Sequence, residues 1–130
     1  MKLLRALAVL FGTWIALSAG TVAAEVHELR IYTANEGKFE ALHERFRDHT
    51  MALLEKHGMR NVAYWVDVQT PNTLVYIIAH ESAGVIESNW KAFFDDPAWQ
   101  AAYQASIAEG ALVANIDKRF LSATDYSPAR

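Results

Sequence analysis

No cysteine occurs anywhere in the 130 residues. That absence excludes a disulfide framework, a thiolate nucleophile and a lipid-modified cysteine anchor. Glycine (6) and proline (3) are sparse. No Gly-rich phosphate loop and no serine elbow is present, so nucleotide binding and serine hydrolysis have no motif to rest on. Positive charge is also short: 12 Lys and Arg stand against 15 Asp and Glu, for a net charge of −3. Without a phosphate-neutralising patch, nucleic acid is excluded as a partner.

Long apolar runs are confined to the beginning of the chain. MKLLRALAVLFGTWIALSAGTVAA carries Lys2 and Arg5, then an apolar stretch from Ala6 to Leu17, then small residues ending in Ala23-Ala24. This is the pattern of a secretory signal peptide, with an apolar stretch shorter than the about 20 residues of a membrane span. The expectation is therefore a signal peptide over residues 1–24, export to the periplasm or medium, no membrane attachment after cleavage, and one domain over residues 25–130. Without Lys2 and Arg5 the balance becomes 10 basic against 15 acidic groups, and stability must come from an apolar core or an oligomer.

The pattern of the remaining chain is β-α-β-β-α-β. Val26 to Thr33 alternates as a strand, with His27, Leu29 and Ile31 expected toward the helices and Glu28, Arg30 and Tyr32 away from them. Asn35-Glu36-Gly37 is a turn signal. Lys38 to His57 has helical period, with Phe39, Leu42, Phe46, Leu53 and Leu54 on one stripe and Gly58 placed to stop it. Arg60 to Gln69 and Leu74 to Ala79 form a hairpin around Thr70-Pro71-Asn72-Thr73. Ile86, Trp90, Phe93 and Phe94 mark a further helix, which Ser82 can cap. In DDPAWQAAY, Asp96 is an N-cap and Pro97 suits the first helical position, so the stretch predicts a helix-to-helix corner and not a catalytic acid pair. Gly110 is a plausible stop, and Asn115 to Ala123 reads as a fourth strand.

This order predicts an α+β, ferredoxin-like fold with a four-stranded antiparallel sheet and helices on one face. The second and third strands are apolar on both faces, whereas a sheet wet on one side alternates. The expectation is a homodimer in which the open sheet face packs on a second copy.

In this order, HELRIYT, KHGM, AYWV, LVYIIAHES, SNWKAFFDDPAWQAAY and a terminal YSP resemble the NIPSNAP family over nearly all of Val26 to Pro128. The most specific pieces are Glu28-Leu29-Arg30-x-Tyr32 and Trp90-x-x-Phe93 ahead of Asp96-Pro97-x-Trp99. The resemblance implies the dimeric α/β barrel; no cofactor is expected. Relatives with that barrel include cofactor-independent monooxygenases and haem-degrading enzymes, an alternative to a pure binding role, although a shared fold does not transfer an activity.

Candidate chemistry is thin. His49 falls on the apolar stripe of the first helix and is expected to face the sheet, as a core or pocket-rim histidine or as an acid–base group. Glu40-x-x-His43 has di-iron spacing but lacks the second copy and further carboxylates such a site needs, so no metal is expected. Tyr64, Trp65, Tyr76, Trp90, Trp99 and Tyr103 would either fill the core and dimer seam or wall an apolar pocket. The expected pocket residues are Tyr32, His49, Trp65, Trp90 and Trp99, and the expected ligand is a small apolar or aromatic molecule.

Overall fold

A computed structural model describes residues 23–129. The signal peptide expected over residues 1–24 lies almost wholly outside the described residues. Four strands form one antiparallel sheet: β1 (Val26–Ala34), β2 (Met59–Val66), β3 (Thr73–His80) and β4 (Val113–Leu121), in spatial order β2-β3-β1-β4. Between β1 and β2 runs a long helix whose parts are α1 (Phe39–Arg45), a π-helical turn (Phe46–Thr50) and α2 (Met51–Lys56). Between β3 and β4 lie a short 3-10 turn (Ala83–Val85), α3 (Ile86–Asp95) and α4 (Pro97–Ser106). The ferredoxin-like expectation holds in element order, strand direction and layering.

One strand is turned over relative to expectation. Glu28, Arg30, Tyr32 and Ala34 of β1 are buried beneath the helices. His27, Leu29 and Ile31 face the other way, across from Ala79, Ile77 and Val75 of β3. The rule of polar outward failed because the polar side chains satisfy one another under the helices, while the apolar ones lie on the open face of the sheet. The core between sheet and helices is built from Leu42, Phe46, Leu53, Leu54, Met59, Leu74, Tyr76, Ile78 and Phe93.

The corner at Asp96 forms as the sequence predicts. Its Oδ1 accepts from the Ala98 N–H at 2.8 Å, and Pro97 occupies the first turn of α4. Oδ2 also accepts from Lys56 Nζ at 2.6 Å and lies 2.7 Å from His57 Nε2, so one carboxylate ties the end of α2 to the start of α4. Gly58 follows in the left-handed region (φ +75), which stops the helix at the expected residue. Asp96→Ala is expected to lower stability by about 1–2 kcal/mol, the usual loss of an N-cap, with the upper end reached because the two basic partners go too. A urea melt checks it; an unchanged midpoint would contradict the role.

Candidate functional site

A cavity of about 450 Å³ opens between the helix-facing side of β1 and β3 and the underside of α1, α3 and α4. The chain after α4 borders it, with Ile107 and Ala111 through Ile116 along one wall. Its ring walls are Tyr32, Phe46, Tyr76, Trp90, Phe93, Phe94, Trp99 and Tyr103. Most of these rings meet edge-on or tilted, Trp99 4.6 Å from Phe93 and 5.6 Å from Tyr103, and Tyr76 5.3 Å from Tyr32 and 5.1 Å from Phe46, while Trp90 and Phe94 stack at 5.4 Å. Such contacts add about 0.5–1.5 kcal/mol per pair beyond the area they bury.

Beneath one side of the cavity lies a polar network that alternation along β1 creates. Residues two apart on a strand share a face, so Glu28, Arg30 and Tyr32 stand in a row. Arg30 Nη1 donates to Glu28 Oε1 at 2.6 Å, and Arg30 Nη2 donates to the Tyr32 hydroxyl at 3.3 Å. The Tyr76 hydroxyl donates to that of Tyr32 at 3.1 Å. Glu28 Oε2 accepts from the Trp90 indole N–H at 2.9 Å and meets His80 Nε2 at 2.8 Å. His80 Nδ1 lies 3.3 Å from the Asn89 amide, so the tautomer with the proton on Nε2 satisfies both contacts. The guanidinium of Arg30 also sits 4.4 Å over the Trp90 ring.

Both Glu28 and His80 are completely buried. Burial alone would raise the Glu28 pKa, but the hydrogen bonds from His80, Trp90 and Arg30 together hold it below the ordinary carboxylate value. Burial drives the Tyr76 hydroxyl far above its ordinary value, so it stays a neutral donor.

The second cation of the cavity, Arg45, differs. Only 6% of it is exposed. Its Nη1 donates to Ser106 Oγ at 3.1 Å, and its guanidinium carbon lies 5.3 Å from the Trp99 ring and 5.4 Å from that of Tyr103. Its Nε has no partner, and no carboxylate pairs with it among the described residues. Burial lowers its pKa accordingly.

Of the residues expected at a pocket, Tyr32, Trp90 and Trp99 are brought together here. His49 is not: it is exposed on the helix surface. The π-helical turn over Phe46–Thr50 explains this, because i→i+5 winding rotates the residues after Phe46 relative to an α-helical stripe. Thr50, not His49, then faces inward and lines the cavity. Trp65 is also elsewhere. It lies on the open face of the sheet, opposite Val75, half exposed, and borders only a shallow depression beside β2. Glu40 bonds Arg47 at 3.0 Å, and among the described residues no group of three or more His, Cys, Asp or Glu could hold a metal.

Sequence reasoning missed Arg30, Arg45 and Glu28 as inward-facing groups. The available signal was the row Glu28-x-Arg30-x-Tyr32 itself, three polar side chains on one face of a strand whose other face is apolar.

The NIPSNAP family profile matches residues 27–128. Among solved structures, a NIPSNAP family protein from Agrobacterium tumefaciens superposes with a TM-score of 0.72 at 22% identity, covering 82% of this chain and 99% of that one. An uncharacterised NIPSNAP-like domain protein from Burkholderia xenovorans gives 0.69 at 19%, covering 80% and 89%. A cofactor-independent oxygenase from Streptomyces nogalater gives 0.58 at 18%, covering 82% and 99%. At such identities the likeness establishes the fold and not the chemistry. No curated protein matches the chain.

Proposed function

The chain belongs to the NIPSNAP family, and from that membership we propose that it is an exported homodimer that binds a small, flat, apolar or aromatic molecule between sheet and helices. The observation that carries this reading is the cavity: about 450 Å³ falls within the range of small-molecule sites, and its walls are aromatic with a few fixed polar groups. A protein whose rings served only as core would have filled that volume.

The homodimer rests on the opposite side of the sheet. Leu29, Ile31, Ala63, Trp65, Val75 and Ile77 are cross-strand neighbours on the face without helices. Asp117 and Arg119 of β4 flank Ile31 and Leu29, giving an apolar centre with a charged margin. Export rests on the N-terminal pattern of residues 1–24 alone, and the mass of the secreted protein, beginning at Glu25, tests it.

An oxygenase reading has less to draw on. No histidine is among the cavity-lining residues, and His80, the one buried histidine nearby, is held by Glu28 and Asn89. A base able to deprotonate a substrate would have to come from elsewhere.

A thermal-shift screen with aromatic acids, quinones, haem and lipids tests the binding reading. A ligand at 100 times its Kd adds about 2.7 kcal/mol, which raises Tm by roughly 10 °C or more in a domain of this size. A flat screen would leave the rings as structural.

A further inference from the structure

We infer that the ligand of this cavity carries a negative charge, and that Arg45 receives it as the partner of a carboxylate on a flat aromatic body. The inference rests on the binding reading above and adds the chemical class.

Two arginines in one cavity differ in their partners. Arg30 has its counter-ion built in, with Glu28 Oε1 at 2.6 Å. Arg45 is equally removed from water and has none among the described residues. Its contacts are one hydroxyl, Ser106 Oγ, and two aromatic faces; the Nε of each arginine is unsatisfied, so what separates the two is the counter-ion. A buried guanidinium presents five donors in a fixed fork. Ring faces offset part of its desolvation but do not accept those protons in the directions a carboxylate would.

No acidic residue lines the cavity to compensate, since its charged walls are Arg30 and Arg45 alone. With Arg30 already neutralised, the interior carries about one uncancelled positive charge. This occurs in a chain whose overall charge is negative, so the local excess is not an overflow of a basic composition.

The backbone supplies the second observation. The π-helical turn begins directly after Arg45. The Thr50 hydroxyl donates to the Arg45 carbonyl at 3.2 Å. Such turns interrupt regular winding at some expense and recur where a side chain has to be presented to a ligand. Here the turn brings Thr50 to the wall beside Arg45 and moves His49 to the outside. The donors the site can offer are then the Arg45 guanidinium and the Tyr32 hydroxyl, which already accepts from Arg30 and Tyr76 and so has its own proton to give; the Thr50 hydroxyl gives its proton to the Arg45 carbonyl. Both donors suit an acceptor-only group on the ligand. The ring walls suit the rest of it.

The test uses a matched pair, 2-naphthoate and 2-naphthamide, titrated into the full-length mature protein by calorimetry at neutral pH. The two differ in charge and hardly in shape. The acid is expected to bind at least about tenfold more tightly than the amide, as a charge-assisted contact in a dry site should give. In Arg45→Gln that preference is expected to fall to about onefold, and Arg45→Lys is expected to keep part of it. The wild-type contrast stands even if a variant folds poorly.

Equal affinity for acid and amide would overturn the charge requirement while leaving the cavity a binding site. A preference that survives Arg45→Gln would overturn the assignment to Arg45. Silence of both probes beside a neutral quinone that binds would overturn the inference and spare the binding reading; silence of every probe would remove both.

Discussion

Glu28→Ala is expected to be the most destabilising single substitution on the helix-facing side of the sheet, by about 3–5 kcal/mol, the loss seen when one member of a buried ion pair is removed. At the sensitivity of a domain of about 100 residues, that lowers Tm by roughly 15 °C or more. Three donors depend on this carboxylate: Arg30 at 2.6 Å, His80 at 2.8 Å and the Trp90 indole at 2.9 Å. His80 is fully buried and Arg30 nearly so, and neither turns readily to water, while Trp90 is partly buried. Alanine leaves a cation and two N–H groups without their acceptor, and the buried ones carry the larger desolvation penalty.

Glu28→Gln keeps the length and one acceptor, so a smaller loss, about 1–3 kcal/mol, is expected. The double variant Glu28→Ala with Arg30→Met is expected to lose less than the sum of its single changes, since the stranded charge leaves with its partner. Chemical denaturation of the wild type, Glu28→Ala, Glu28→Gln, Arg30→Met and the double variant checks the set. A Glu28→Ala loss below about 1 kcal/mol would mean that water reaches the network and that burial is not what makes it matter.

The same network fixes the direction of the acid response. The pKa of Glu28 lies below its ordinary 4.5, and that of Asp96 below its ordinary 3.8 under the pull of Lys56, His57 and the Ala98 N–H. A carboxylate whose folded pKa is depressed contributes stability that is fully present above its unfolded pKa. That contribution disappears as pH falls through the folded value. Stability should therefore fall with acidification below about pH 4.5, and Asp96→Ala should flatten the lower part of that fall.

The second large effect concerns the other face. Ile77→Asp is expected to raise the dimer Kd at least about 100-fold, because it sets an unpaired carboxylate in the centre of an apolar seam. Ile77 sits between Leu29 of β1 and Ala63 of β2, in the middle of the exposed apolar side chains. In a lone chain the same position is only partly buried, so the fold itself should lose little, about 1 kcal/mol or less. Val68→Asp is the control: that side chain is 97% exposed beyond the end of β2. Sedimentation velocity over a concentration series separates them. Identical association in wild type and Ile77→Asp would place any dimer seam elsewhere.

Much of the architecture was legible in the residues. The Asp96-Pro97 corner and the stop at Gly58 are local, each fixed by one side chain's hydrogen bond or one backbone conformation. The order of elements along the chain and the β2–β3 hairpin followed from turns and period. What was not legible is which way β1 faces. Alternation identifies two sides but not which is covered, and here the covered side is the polar one. The choice depends on Trp90 and His80, 62 and 52 residues further on.

His49 was misplaced for a related reason. A π-helical turn leaves no mark in a periodicity that assumes α winding, so the period points inward at His49 where the structure has Thr50. Trp65 was misplaced because an aromatic on an edge strand is equally at home on either face. The site therefore emerged half visible: its rings could be named, but its charges could not.

The account stands or falls on whether the space under the helices is where a ligand goes. The most direct measurement compares ligand-induced thermal shifts in the wild type and in Ala114→Trp. Ala114 lines the cavity from β4 and is exposed, so an indole there fills the space without burdening the core. The expected result is a clear upward shift with 2-naphthoate in the wild type and little or none in Ala114→Trp. An equal shift in both proteins, or none in the wild type across the whole screen, would contradict it.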